Sequence, residues 1–480
     1  MSKQPIQNPT SKIQNQKVSP SRLAAFEILL KIEREKSFSS ALLPFYEEKL
    51  SPPDKSLCHQ LTLGVLRRRI YLDRVVESFS KTKISKLDAE VLIALRLGLF
   101  QLLFLDKIPD FSAINESVNL VHRAKKRSAA GLVNAILRRA TREKDFKFEF
   151  ADETERISIE TSHPRWLIEH WTRAFGLEET EKLARANNET PPLAFRLTAK
   201  ADEKTIETLR KLNLEINESE IAANGFRVAS PNEMLFAFAG DGKIYFQEES
   251  SQLVGEAVKL QKGEKFLDVC AAPGSKFTQI LSNAECGMQN AGLKDEDKTP
   301  IIPKIKDQPF TPRSAFRIPH LSVAGDLHEH RLRFLRQSAV NQGLESLNFA
   351  AYNAENQLPF ADEIFDCILL DAPCSGTGTI RHNPEIRYFL TEKDFAELRE
   401  KQLVILQNAS KTLKKGGRVV YSTCSLEREE NELVIERFLS SNAGFEKVLP
   451  DVPQKFLTEE GFARTFPQRD AADGFFIAVL

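Results

Sequence analysis

Cysteine is scarce and scattered in this chain, and that scarcity already excludes several classes of protein. The six cysteines, Cys58, Cys270, Cys286, Cys367, Cys374 and Cys424, form no CxxC pair and have no histidine at ligand spacing. Neither a disulfide framework nor a structural zinc is supported, no metal is called for, and a reducing cytoplasm is the expected setting. Long apolar runs are lacking too. The longest, Val91 to Leu105, is interrupted by Arg96, Gly98 and Gln101. At about fifteen residues it falls short of the ~20 that span a bilayer and reads as a buried core helix, so no membrane is expected. Residues 1–19 are rich in Gln, Asn, Ser and Lys, with no apolar core. They read as a disordered tail rather than a secretory signal.

Net charge is also absent, with 67 Lys+Arg against 67 Asp+Glu, but only in the total. Residues 1–150 hold 27 basic against 16 acidic residues, and the remainder 40 against 51. A basic front carrying Arg67, Arg68, Arg69, Arg123, Arg138 and Arg139 suits a polyanion. Solvated helix faces are the plainer reading of the same charges.

At 480 residues the chain exceeds one ordinary core, so several domains are expected. Residues 20–145 carry apolar residues at helical spacing (Leu23, Phe26, Leu30; Leu61, Val65) with no strand-like alternation. Residues 146–240 begin with further helix signals, then "PPLAFRLTAKADEKTIETLRKLNLEI" reads strand, helix, strand, a small α+β piece. From 241 to 480, apolar runs such as "KFLDVCA", "FDCILLDAP" and "GRVVYSTC" alternate with helix-like segments. That pattern implies an α/β domain whose mostly parallel sheet is covered on both faces. Residues 284–319, polar and rich in proline, read as a flexible surface insertion.

In such sheets ligands sit outside the carboxyl ends of the strands, and the notable motifs fall there. "DVCAAPGSK", 268–276, ends the first strand with small residues and opens a helix, letting backbone N–H groups approach an anionic ligand. It lacks the spacing of a phosphate loop. "VAGDLHEHRL", 323–332, ends the next strand on Asp326, where a ribose would be held or, equally, a helix capped. Cys374 in "DAPCSGTG" and Cys424 before "SLEREENE" end two further strands. A cysteine at a strand end beside a helix N-terminus is a nucleophile candidate, although a single buried cysteine is ordinarily inert packing. "SLEREENE" reads as a helix start with an acidic first turn.

"DAPCSGTGTIRHNPE" and "YSTCSLEREENE" resemble the two signature motifs of the RNA cytosine-5 methyltransferases, and "AAPGSK" resembles their S-adenosylmethionine loop. "FQEESSQLV" and "FPQRDAADGFFIAVL" are similar to the motifs that bracket that catalytic domain. The N-terminal part, with "GVLRRRIYLDRVV", is similar to the RNA-binding NusB helical domain. The pairing is that of the bacterial Sun/RsmB-type 16S rRNA methyltransferases. The resemblance therefore implies a multidomain chain: an all-α NusB-like domain, a small α+β RNA-binding subdomain and a Rossmann-like methyltransferase domain.

It also implies roles. Cys424 would add to carbon 6 of a cytosine, Cys374 would assist product release, and Asp371 would bind the base. Cys270, Ala271, Ala272, Pro273, Gly274, Ser275 and Lys276 would line S-adenosylmethionine, with Asp326 at its ribose, Asn353 near its adenine and Asp371 bordering both ligands. Arg196, Arg67, Arg68 and Arg138 would face RNA. The implied partner is 16S rRNA or a small-subunit assembly intermediate, and a monomer is expected. Ser275, Phe277 and Asn353 stand where the family has glycine, threonine and aspartate. A tRNA substrate, and a non-catalytic RNA-binding or antitermination factor, are the alternatives.

Overall fold

The apolar run that is too short for a membrane becomes the axis of a helical unit. The structure, a computed structural model, describes residues 18–80, 82–143, 147–211, 214–286, 321–344 and 347–480. Ala89–Phe104 is a helix buried on every side from Val91 to Leu102. Its two polar interruptions are satisfied internally. Arg96 donates to Asp73 Oδ1 and Oδ2 (2.7 and 2.8 Å) and to Glu33 (3.2 Å), and Gln101 accepts from Arg22 (2.7 Å). A buried cation persists because paired carboxylates compensate its lost hydration. Helices Pro20–Glu35, Pro52–Arg67, Asp110–Arg123 and Ala130–Arg142 pack their apolar stripes against this axis.

The chain divides into two compact units, residues 1–184 with 383–389, and residues 185–382 with 390–480. The helices at 153–161 and 165–175, expected to fall with the α+β piece in 146–240, thus belong to the helical unit. So does a short segment from far along the chain. Glu385 accepts from Ser39 N–H (2.6 Å), Arg387 donates to Thr161 O (3.2 Å), and Tyr388 donates to Leu66 O (2.7 Å).

The second unit holds two sheets. In the smaller, strands β1 (Leu193–Leu197), β2 (Ile216–Glu218), β3 (Gly225–Val228) and β4 (Ile244–Phe246) lie antiparallel in the order β2-β3-β1-β4. The larger contains β5 (Phe266–Asp268), β6 (Ser322–Asp326), β7 (Asn348–Ala351), β8 (Phe365–Asp371), β9 (Leu413–Thr423), β10 (Ala463–Arg464) and β11 (Phe476–Val479). Their order among the described residues is β10-β11-β9-β8-β5-β6-β7. Strands β5 to β9 run parallel as expected, whereas β11 and β10 add antiparallel at one edge.

Alternate residues of the parallel strands feed two cores. Phe266, Leu369 and Val420 meet Phe277, Ile280 and Leu335 on one face, while Leu267, Ile368 and Val419 meet Leu406, Val434 and Phe438 on the other. Burial on both faces is why these strands read as continuous apolar runs. The chain leaves β5 toward β6 and β7, then returns to β8 and β9 on the opposite side. That reversal opens the crevice where doubly wound sheets bind ligands. Residues 1–17 and 287–319, from the expected tail and insertion, lie outside the described residues, and residues 284–286 belong to the helix Ser275–Cys286.

Candidate active site

Four strands deliver polar side chains to this crevice: Asp268 from β5, Asp326 from β6, Asp371 from β8, and Ser422 with Cys424, just past the strand end, from β9. The parallel register sets Asp371 opposite Ser422, whose hydroxyl donates to Asp371 Oδ1 (2.8 Å). Lys276, in the first turn of the helix after β5, donates to Asp371 Oδ2 (2.8 Å). Burial lowers the lysine pKa, but Asp371 and Cys424 outweigh it and the net direction is upward. Lys276 therefore stands as a cation beside Asp371 and Cys424, a place its position in a small-residue loop did not disclose.

The two cysteines meet. Cys374 Sγ lies 3.4 Å from Cys424 Sγ, and both residues are half-buried. The hydrogen bond to Cys424, then burial, hold the Cys374 thiol well above its usual range, and either sulfur can donate to the other. Gly378 N–H donates to Cys424 O (2.9 Å), and Gly474 N–H to Gly378 O (2.9 Å). A Cβ on Gly378 would lie 2.0 Å from Gly474 O, so only glycine permits this approach.

The helix expected directly after Cys424 starts instead at Glu432. Residues 425–430 form a turn instead, with Ser425, Leu426, Glu427 and Glu430 buried, because Ser425 Oγ donates to Glu430 Oε1 (2.8 Å) and accepts Glu427 N–H (3.1 Å). Cys424 is therefore not at a helix N-terminus.

The small-residue loop closes β5 through a cis Ala272–Pro273 bond and Gly274 at φ +106°. Ala271 N–H donates to Gly325 O (2.7 Å), and Arg331 donates to Ala272 O (2.6 Å), fixing the loop against β6. Ser275 begins the helix, whereas Phe277 points away into the core and stacks on Phe266 at 6.0 Å. The side chain at 277 is thus packing rather than ligand contact. Asp326 is buried, accepts His328 N–H (2.9 Å) and pairs with Arg331 (3.3 Å). Asn353 is exposed and its Oδ1 accepts Glu355 N–H (2.9 Å). Asp268, behind the loop, is buried, and its Oδ1 has no hydrogen-bond partner among the described residues. Burial, then Asp371, raise its carboxyl pKa well above the usual range.

Arg196 departs from its expected place at an RNA-facing strand. It is 2% exposed, and its guanidinium donates to Gln247 Oε1 (2.7 Å), Thr278 Oγ1 (2.8 Å), Gln342 Oε1 (3.0 Å) and Ser275 O (3.2 Å). It pins the small sheet to the helix that follows the loop. Arg67 and Arg68 are half-buried, with Arg68 over the Phe104 ring at 5.1 Å, whereas Arg138 is exposed beside Asn134 (3.1 Å).

This arrangement defines a methyltransferase sheet joined to a NusB-type helical domain and a ferredoxin-like subdomain. The family models agree: "16S rRNA methyltransferase RsmB/F" matches residues 320–480, "NusB family" matches 19–142, and an RsmF/B-like ferredoxin-like domain matches 163–234. The chain is 33% identical over 469 residues to the probable ribosomal RNA small subunit methyltransferase B of Bacillus subtilis, covering 95% of this chain and 97% of the relative. It is 31% identical to the ribosomal RNA small subunit methyltransferase B of Pseudomonas syringae, covering 96% of each. The crystal structure of PH0851 shares the fold, with a TM-score of 0.77, 23% identity, and coverage of 97% of this chain and 99% of that one. The chain belongs to the ribosomal RNA small subunit methyltransferase B family and is an RNA methyltransferase of it. No helix among the described residues is long and apolar enough to cross a membrane.

Proposed function

We propose that the protein methylates carbon 5 of a cytosine in 16S rRNA, or in a small-subunit assembly intermediate, through a covalent bond to Cys424. The observation that carries this reading is the 3.4 Å approach of the two sulfurs beside Asp371 and Lys276. Carbon 5 of cytosine is a poor nucleophile. Addition of the Cys424 thiolate to carbon 6 makes it enamine-like, dividing one hard step into easier ones. Asp371 accepts from the exocyclic amine and Lys276 offsets the charge of Asp371. After transfer, carbon 5 gives its proton to solvent water, the C5–C6 double bond re-forms, and the carbon 6–sulfur bond breaks with its electron pair leaving as the Cys424 thiolate. The Cys374 thiol, 3.4 Å away, would assist that release by donating a hydrogen bond to the departing sulfur.

S-adenosylmethionine, when bound, supplies the electrophilic methyl group. The residues fit it: the unpaired buried Asp268 Oδ1, the small-residue loop and the helix N-terminus at Ser275 suit a ligand with an ammonium and a carboxylate. Cys270 to Lys276, Asp326 and Asn353 would hold it, and Arg138 on the exposed helical face would meet RNA phosphates. The target base must be single-stranded or flipped out.

The test is nucleoside mass spectrometry of small-subunit RNA and tRNA after incubation with S-adenosylmethionine. The expected product is 5-methylcytidine in small-subunit RNA only, reduced about a thousandfold or more by Cys424→Ala with cofactor binding retained. Methylation confined to tRNA, or undiminished in Cys424→Ala, refutes the reading.

A further inference from the structure

A single carboxylate ties together the two loops that carry the cysteines. Glu430, in the short turn Arg428–Glu430, is fully buried. Its Oε2 accepts the N–H of Ser375, the residue after Cys374, at 2.8 Å. Its Oε1 accepts the hydroxyl of Ser425, the residue after Cys424, at 2.8 Å. Gln402 donates from one nitrogen to Glu430 Oε2 (2.9 Å) and to Pro373 O (3.0 Å), bracing the Cys374 loop from its other side. Ser375 Oγ and Ser425 Oγ are themselves 3.2 Å apart. The backbone of Glu430 is fixed in turn, because Tyr421 in β9 donates its hydroxyl to Glu430 O (2.6 Å).

These donors are all neutral, and burial raises the carboxyl pKa of Glu430. A carboxylate desolvated among neutral donors is costly, and satisfying three donors is what offsets that cost. Strands β8 and β9 place the loops side by side, but each thiol sits beyond its strand, where β-pairing no longer sets the distance. The two oxygens of Glu430 act at that point, one on each loop.

We propose that Glu430 is a positioning residue, bridging the Cys374 and Cys424 loops through Ser375 and Ser425 and so setting the separation of the two thiols. Its consequence for turnover rests on the function proposed above, whereas its consequence for thiol spacing does not.

The full-length protein tests this with diamide, a diazene oxidant that takes one hydrogen from each thiol and becomes a hydrazine as the S–S bond forms. Peptide mass spectrometry reads the rate at which Cys374 becomes linked to Cys424. Glu430→Ala is expected to slow that linkage on the order of tenfold and to lower kcat on the order of a hundredfold with little change in KM for the cofactor. Glu430→Gln should restore most of both, since its amide oxygen still accepts from Ser375 and Gln402 while its NH2 donates to Ser425 Oγ. Should Glu430→Ala fail to fold, Ser425→Ala removes one arm of the bridge and is expected to slow the linkage severalfold. An unchanged linkage rate in either folded variant, or a Glu430→Gln protein as slow as Glu430→Ala, overturns the proposal. Slowed linkage in a protein without RNA methylation even as wild type would support the positioning role and refute the function.

Discussion

Replacing Arg196 by alanine separates a surface cation from a structural one. A phosphate contact would leave folding unchanged, weaken RNA binding and reduce the salt dependence of affinity by about one unit of slope. The structure requires the opposite. Truncation strands Gln247 Oε1 and Gln342 Oε1, both in buried residues, and leaves a guanidinium-sized void over Tyr245. Each orphaned acceptor costs roughly 1–3 kcal/mol. Part of this is offset because the cation, its pKa lowered to about 10 by burial, no longer has to be desolvated. A net loss of about 3 kcal/mol remains, lowering the melting temperature by roughly 6–12 °C. Differential scanning fluorimetry and filter binding of RNA across a salt series measure both quantities. An unchanged melting temperature with a shallower salt slope would refute the structural assignment.

Other perturbations bear on separate elements. Gly378→Ala places a methyl 2.0 Å from Gly474 O and 2.9 Å from Cys424 O, backbone atoms with no rotamer to yield. It should cost roughly 1–3 kcal/mol or more and abolish methylation, and a wild-type melting temperature would contradict the close approach. Glu256 has its carboxyl raised to about 7 by burial, which hydrogen bonds from Ala223 and Asn224 N–H only partly oppose. A folded pKa above the unfolded value means the native state binds more protons between about 4.5 and about 7. The ionised group therefore withdraws stability as pH rises through that window. Glu256→Gln should flatten this decline, so parallel melting profiles from pH 4.5 to 7.5 would contradict it.

The parallel strands and their candidate site were legible in the sequence because double burial writes itself as apolar runs, and such sheets bind ligands where those runs end. Cys374 and Cys424 were found that way. Arg196 was misread because an arginine in a short strand looks the same whether it points outward or is enclosed by amide and hydroxyl acceptors from Gln247, Thr278 and Gln342, as here. The turn after Cys424 was misread for a related reason. Its Ser and Glu residues are those that begin helices, but here they bond across to Ser375 and Gln402. Nor does local pattern show that residues 383–389 complete the helical unit, since Tyr388 meets its acceptor at Leu66. Glu430 lay inside an acidic run that reads as the first turn of a helix, and only its partners distinguish it.

Under the proposed function, the two neighbouring thiols divide the making and breaking of one bond to a cytosine. Incubation of Cys374→Ala protein with small-subunit RNA and S-adenosylmethionine, followed by nuclease and protease digestion and mass spectrometry, tests it directly. The expected product is a methylated cytidine nucleotide covalently attached to the peptide containing Cys424. Attachment to any other residue, or methylated RNA released freely with no adduct, would contradict it.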